Sequence, residues 1–151
     1  MKALKIAGVG ALALAASVVG FYEGKRNNAY QDPVGIPTIC YGHTADVQMG
    51  QTRTDEECQD LLQSDLGDAF DTVERLVETP LSEPRRAALA SFVYNVGAEA
   101  FARSTLLRRL NAGDPNACVE LDRWVYAGGR QLKGLVRRRA TERELCEWSG
   151  E

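Results

Sequence analysis

Among its 151 residues the chain has a single histidine, His43. One imidazole cannot supply a site built on paired histidines. The four cysteines, Cys40, Cys58, Cys118 and Cys146, include no C-x-x-C pair. The ligand spacing of a zinc centre is therefore missing, and neither a metal nor a cofactor is expected. Only one long uncharged run is present, at the N-terminus, which excludes a polytopic membrane protein. No internal repeat and no second low-complexity tract occur, so a repeat array is excluded. An excess of positive charge is also lacking: the net charge is -3, so the chain as a whole does not attract polyanions.

What remains is an ordinary globular composition, 44% hydrophobic and 26% charged, which argues against disorder. The length fits one domain, built as two lobes, with enough chain to bury a core unaided. The charge is unevenly spread. From Arg123 to Arg143 there are seven basic residues against one acid, Glu142, so a basic surface sits on an acidic body.

The N-terminus reads "MKALKIAGVGALALAASVVGFYEG". Lys2 and Lys5 precede an uncharged run of 17 residues, Ile6 to Tyr22. As a helix it would reach ~26 Å, the short edge of a bilayer core. Lysines in front favour a cytoplasmic N-terminus and an exported body. The run is rich in alanine and glycine, so its hold on lipid is weak. A signal peptide cut after "ALA" (Ala13 to Ala15), a permanent anchor, and an uncleaved anchor able to leave the bilayer all compete. Export together with an even cysteine count points to disulfides and an oxidising compartment.

Further along, residues 27–53 are rich in Gly, Pro, Asn, Asp and Thr around β-prone pieces such as "IPTICY", which predicts a hairpin or three-stranded sheet. "TDEE" at 54–57 is a capping box, and apolar residues then recur at helical spacing to Val77. This predicts one long helix joining two lobes. Ser82 and Pro84 open an apolar helix that ends at Gly97. Ser104 opens another, to about Asn111; Asp114 and Pro115 start one towards Trp124. "YAGGR" at 126–130 reads as a loop, and a last helix covers about 136–148.

Two carboxylates stand close together behind the apolar run, Glu23 and Asp32. A pair of acids can cleave a glycosidic bond when one is protonated and the other ionised. The apolar "VVGFY" in front of Glu23 would desolvate it and favour its neutral form. Asp32 in "YQDPVG" occupies a turn open to water. Spacing alone is a weak signal, since two nearby acids are common.

Glu23, Asp32 and Thr38, followed by Gly42 and His43, form a pattern that resembles the phage-type lysozymes, glycoside hydrolase family 24. "TDEECQDLLQSDL", "FVYNVGAEAFARSTLLRRLNAGD" and "DRWVYAGGRQLKGLVRRRATERELCEW" extend the resemblance to residues 21–148. The N-terminal run is similar to that of the signal-anchor-release endolysins. The resemblance implies an α+β, lysozyme-like fold: a small β-sheet lobe and a mainly helical C-terminal lobe joined by a long helix, preceded by an N-terminal apolar helix. It divides the chain into a signal-anchor-release helix, 1–22, and a catalytic domain, 23–151.

The same resemblance implies hydrolysis of the β-1,4 bond between N-acetylmuramic acid and N-acetylglucosamine in peptidoglycan, with inversion. Glu23 would be the general acid, with Asp32 and Thr38 placing the attacking water. Inversion needs carboxylates roughly 6.5–9.5 Å apart. Asn95 would face the cleft. His43 would pair with Asp65 as a structural ion pair. An arginine of the basic run would pair with Glu23: Arg138, or Arg137 or Arg139 if the register slips by one. On this scaffold, pairing within lobes gives Cys40–Cys58 and Cys118–Cys146; the other pairings would cross the lobes. Trp124 and Tyr126 are expected in the core. The expected setting is the host periplasm, with a monomer first tethered to the inner membrane and no nucleic-acid partner. A non-catalytic module that binds cell wall or nucleic acid, exported or membrane-anchored, is the rival reading.

Overall fold

In a computed structural model, residues 10–149 are described. Helix α1, Ala11–Glu23, follows Gly10 without a side-chain cap and stops at Gly24, whose φ of 69° ends the helix. It turns Ala11, Leu14, Ala15, Val18 and Val19 inward. Strands β1 (Arg26–Gln31) and β2 (Pro37–Cys40) pair antiparallel, with Tyr30 opposite Thr38 and Gln31 opposite Pro37. Of the two alternatives for 27–53 the hairpin is the one formed, and in place of a third strand there is a bridge between Asn28 and Thr52.

Helix α2, Asp55–Leu76, begins with the complete capping box: the Thr54 hydroxyl accepts from the Glu57 N–H, and the Glu57 carboxylate accepts from the Thr54 N–H. Both bonds are local, which is why the boundary was readable from four residues. Helix α3, Glu83–Val96, is capped by Ser82 and carries Pro84 in its first turn. Its run from Ala87 to Val93 is buried without a break, as befits a helix surrounded by others. It packs against α1, α2 and the last helix.

A short helix α4, Ala98–Ala102, follows Gly97 and was not foreseen; α5, Thr105–Asn111, is capped by Ser104. The helix expected from Asp114 is a 3-10 turn, Ala117–Arg123. Asp114 shapes its approach by accepting from the Asn116 N–H at 2.8 Å. "YAGGR" is a small hairpin, β3 (Tyr126–Ala127) with β4 (Arg130–Gln131), rather than a loop. Helix α6, Lys133–Cys146, starts three residues before the expected point and stops two before the expected end.

One apolar core runs through α1, α2, α3, α5, the 3-10 turn and α6. Ile39, Cys40 and Cys58 make a smaller cluster under the hairpin. A disulfide lies in each: Cys40–Cys58 ties β2 to the first turn of α2, and Cys118–Cys146 ties the 3-10 turn to the end of α6. Helix α1 crosses the boundary drawn at residue 22, and from Ala11 onward its inner face belongs to the main core. Among the described residues no helix is long and apolar enough to cross a membrane. Part of the predicted anchor, residues 1–9, lies outside the described residues. Trp124 packs against the core, with its ring edge-on to Phe92 at 5.2 Å. Tyr126, expected in the core, is instead exposed, because it sits on the outer hairpin.

Candidate active site

Glu23 is the last residue of α1, so the helix delivers it to the edge of the core. Not every apolar residue before it is buried. Val18 and Val19 point inward, but Phe21 is 80% exposed. What Glu23 meets is a cation. Nη1 of Arg138 donates to Glu23 Oε2 at 2.6 Å, with the Arg138 side chain 4% and that of Glu23 24% exposed. Of the three consecutive arginines, Arg138 alone faces Glu23, because successive helical residues point about 100° apart. Arg137 is exposed, and Arg139 donates through Nε to the Trp124 carbonyl at 2.9 Å.

Both buried arginines converge on Glu142, which is fully buried. Arg138 Nε donates to Glu142 Oε2 at 3.2 Å, and Arg139 Nη1 donates to Glu142 Oε1. The Ser91 hydroxyl donates to Glu142 Oε2 at 2.6 Å. Arg138 Nη2 also donates to the Ser91 carbonyl at 3.0 Å. Burial pulls the Arg139 guanidinium below its ordinary value, and Glu142 opposes that pull. Glu142 was not anticipated. The only hint was its place as the one acid within the basic run.

Asn95 lines the same cleft as Glu23, Phe21, Leu132, Leu135 and Arg137, a cavity of about 530 Å³. Its side-chain oxygen accepts from Arg139 Nη2, so the amide NH₂ is the end left for other partners. Asp32 and Thr38 belong to the hairpin and do not line this cavity. They are tied to one another through Ile36. The Ile36 N–H donates to Asp32 Oδ1 at 2.8 Å, and the Thr38 hydroxyl donates to the Ile36 carbonyl at 2.9 Å. The Val34 N–H also donates to Asp32 Oδ1, at 2.9 Å. Oδ1 is thus occupied by the turn, while Oδ2 takes no hydrogen bond among the described residues. With its proton committed to Ile36, the Thr38 oxygen is left as an acceptor.

Gly42 joins the hairpin lobe to Glu23. A Cβ at this position would come within 3.0 Å of Glu23 Oε1, and the φ of 85° is one that side chains disfavour. The positive φ favours glycine there, and a side chain would press on the Glu23 carboxylate. His43, next in the chain, places Nδ1 2.7 Å from Asp65 Oδ2 and Nε2 3.0 Å from the Ala45 carbonyl. This links the hairpin lobe to α2. Tyr94 adds a second link by donating to the Tyr41 carbonyl at 2.5 Å. Burial, with Asp65 and Glu23 nearby, pushes its phenol well above the ordinary value. Among the described residues no cluster of His, Cys, Asp or Glu could hold a metal ion.

A small hairpin lobe carries one carboxylate beside a hydroxyl. A helical lobe carries the other, salt-bridged at the wall of a cleft. This arrangement defines a hydrolase of the lysozyme type. The phage lysozyme family model matches residues 20–142, and the chain belongs to that family. It is 49% identical over 128 residues to an SAR-endolysin of Bacteriophage PS119, covering 83% of this chain and 77% of that one. Among solved structures it is similar to the muramidase domain of SpmX from Asticaccaulis excentricus, with 38% identity, a TM-score of 0.81, and coverage of 87% and 93% of the two chains. A mutant of P22 lysozyme is likewise similar, at 37% identity and a TM-score of 0.76 over 87% and 93%.

Proposed function

We propose that this protein is a phage endolysin that hydrolyses the β-1,4 bond between N-acetylmuramic acid and N-acetylglucosamine in peptidoglycan, with inversion, to lyse the host cell at the end of infection. The observation that carries the reading is the Glu23–Arg138 pair at the cleft wall, within a chain of the phage lysozyme family. Glu23, protonated, gives its proton to the leaving glycosidic oxygen as the bond to the anomeric carbon breaks. Asp32 takes a proton from a water molecule through its open Oδ2, and the Thr38 oxygen accepts the water's second O–H. The water oxygen then bonds to the anomeric carbon from the opposite face. Asn95 offers its amide NH₂ to the sugar chain.

No observation favours a nucleic-acid-binding module. Of the basic run, Arg138 and Arg139 are buried, and Arg143 is paired with Asp122 and Glu147. Arg123 also lies 3.3 Å from Glu120, which leaves, among the described residues, Arg130, Lys133 and Arg137 of the seven for a polyanion.

The N-terminal segment has two successive roles in this reading. Residues 1–22 first tether the exported, monomeric protein to the host inner membrane. After release, the part from Ala11 onward becomes α1 of the catalytic body. Support comes from the uncharged run and from the SAR-endolysin relatives. In the tethered state Val18 and Val19 lie in lipid, so Glu23 is not held against Arg138 and the enzyme is inactive. No cysteine lies in that segment, so thiol exchange with it plays no part in the switch.

Turbidity clearing of chloroform-treated Gram-negative cells tests the function. Wild type should clear the suspension, and Glu23→Gln should fold normally yet clear it at least about 100-fold more slowly. A Glu23→Gln variant with more than about a tenth of the wild-type rate would remove Glu23 from the acid role.

A further inference from the structure

Helix α1 has an unusual difficulty of orientation. Its inner face is Ala11, Leu14, Ala15, Val18 and Val19, yet its outer face is also apolar, with Leu12 46% and Phe21 80% exposed. Before Glu23 it carries no charged residue. Hydrophobic burial is non-directional, so it does little to choose one rotation of such a helix over another. A slip of one residue would turn the side chain at position 23 by about 100°, away from Arg138. Directional bonds must set the register.

The polar contacts of α1 short of Glu23 are few. The Ala11 N–H reaches Glu83 Oε1 at 3.4 Å, at the far end of the helix. The Ser17 hydroxyl donates to the Ala13 carbonyl, inside the helix itself. Tyr22 differs. Its ring packs against the main core, and its hydroxyl lies 2.6 Å from Thr141 Oγ1 and 3.2 Å from the Arg137 carbonyl. Thr141 Oγ1 in turn lies 3.3 Å from the same carbonyl. The three oxygens hold two protons and close on each other, with the carbonyl accepting and the hydroxyls donating in sequence.

Both ends of this clamp adjoin the acid and its partner. Tyr22 precedes Glu23 on α1, and Arg137 precedes Arg138 on α6. We propose that Tyr22 is a positioning residue whose hydroxyl, clamped to Thr141 and the Arg137 carbonyl, sets the rotation of α1 and so aims Glu23 at Arg138 and the cleft. The Glu23–Arg138 bond cannot serve as its own register, since Glu23 gives up and regains a proton in every turnover. A pair of hydroxyls outside the proton transfer holds the geometry while the charge on Glu23 changes. This inference rests on the reading of Glu23 as the general acid.

The test uses the full chain, with Tyr22→Phe, Thr141→Val, Thr141→Ser and the double variant Tyr22→Phe/Thr141→Val. Steady-state hydrolysis of solubilised peptidoglycan is measured together with thermal unfolding. Tyr22→Phe and Thr141→Val should each lower kcat by about tenfold, as small misplacements of a reacting group do, with KM within about twofold and Tm close to wild type. Thr141→Ser, which restores a hydroxyl, should recover most of kcat. The double variant should lose no more than Tyr22→Phe alone, since that substitution already removes both bonds made from position 22. An unchanged kcat in Tyr22→Phe would overturn the proposal, as would losses that multiply in the double variant or that follow Tm alone. A wild type that leaves peptidoglycan intact would overturn the functional reading itself, which separates the two failures.

Discussion

Replacing Glu142 with alanine would leave two guanidiniums side by side in the core. Arg138 is 3% and Arg139 1% exposed, so water cannot take the place of the lost carboxylate. Arg138 would keep Glu23 and the Ser91 carbonyl. Arg139 would keep only neutral acceptors, Asn95 and the Trp124 carbonyl. Removing one partner of a buried ion pair costs about 3–5 kcal/mol, a large share of the ~5–15 kcal/mol that holds a domain folded. With a urea slope of about 2 kcal/mol/M, the unfolding midpoint should fall by roughly 2 M. Glu142→Gln should recover part of this, because its carbonyl oxygen can still accept from Ser91 and one arginine while its amide faces the other. Urea denaturation followed by circular dichroism, on all three proteins at one pH, measures the effect. A midpoint for Glu142→Ala within about 0.5 M of wild type would mean that Glu142 is not the counter-charge of this cluster.

Two other outcomes are expected. Reduction of Cys118–Cys146, or its replacement by two serines, should destabilise the C-terminal lobe by ~3 kcal/mol in the chain-entropy model; peptide mapping without reductant should recover this pair and Cys40–Cys58, and cross-lobe peptides would refute the connectivity. Gly8→Leu with Gly10→Leu should strengthen the hold of the N-terminal segment on lipid, at ~0.8 kcal/mol per added CH₂, while a side chain at position 10 meets nothing within 4 Å in the docked form. More protein in the membrane fraction and later lysis are expected, and lysis on the wild-type schedule would refute the tether.

What the sequence determined by itself is local. The caps at Thr54, Ser82 and Ser104 and the stop at Gly97 rest on bonds between residues three or four apart, so both partners lie within one short window. Glu23, Asp32, Thr38, Gly42 and His43 stood out only through the resemblance to the phage-type lysozymes, since spacing alone is a weak signal; what is local is the turn, where the Val34 and Ile36 amides reach Asp32 within one short window. The cysteine pairs Cys40–Cys58 and Cys118–Cys146 followed from the two-lobe scaffold that the resemblance implies, not from any local signal. What only the tertiary structure decided is which faces meet. An apolar helix with no polar side does not say whether Val19 or Phe21 turns inward. Three consecutive arginines do not say which one meets Glu23 until α6 is set against α1. Glu142 looked like one acid in a solvated basic helix, and became the buried centre of the charge cluster only when α3 brought Ser91 against it. The hairpin at 126–131 and the 3-10 turn after Asp114 were misread for a related reason: in segments that short, local propensity is weak and the packing of α6 against its neighbours settles the backbone.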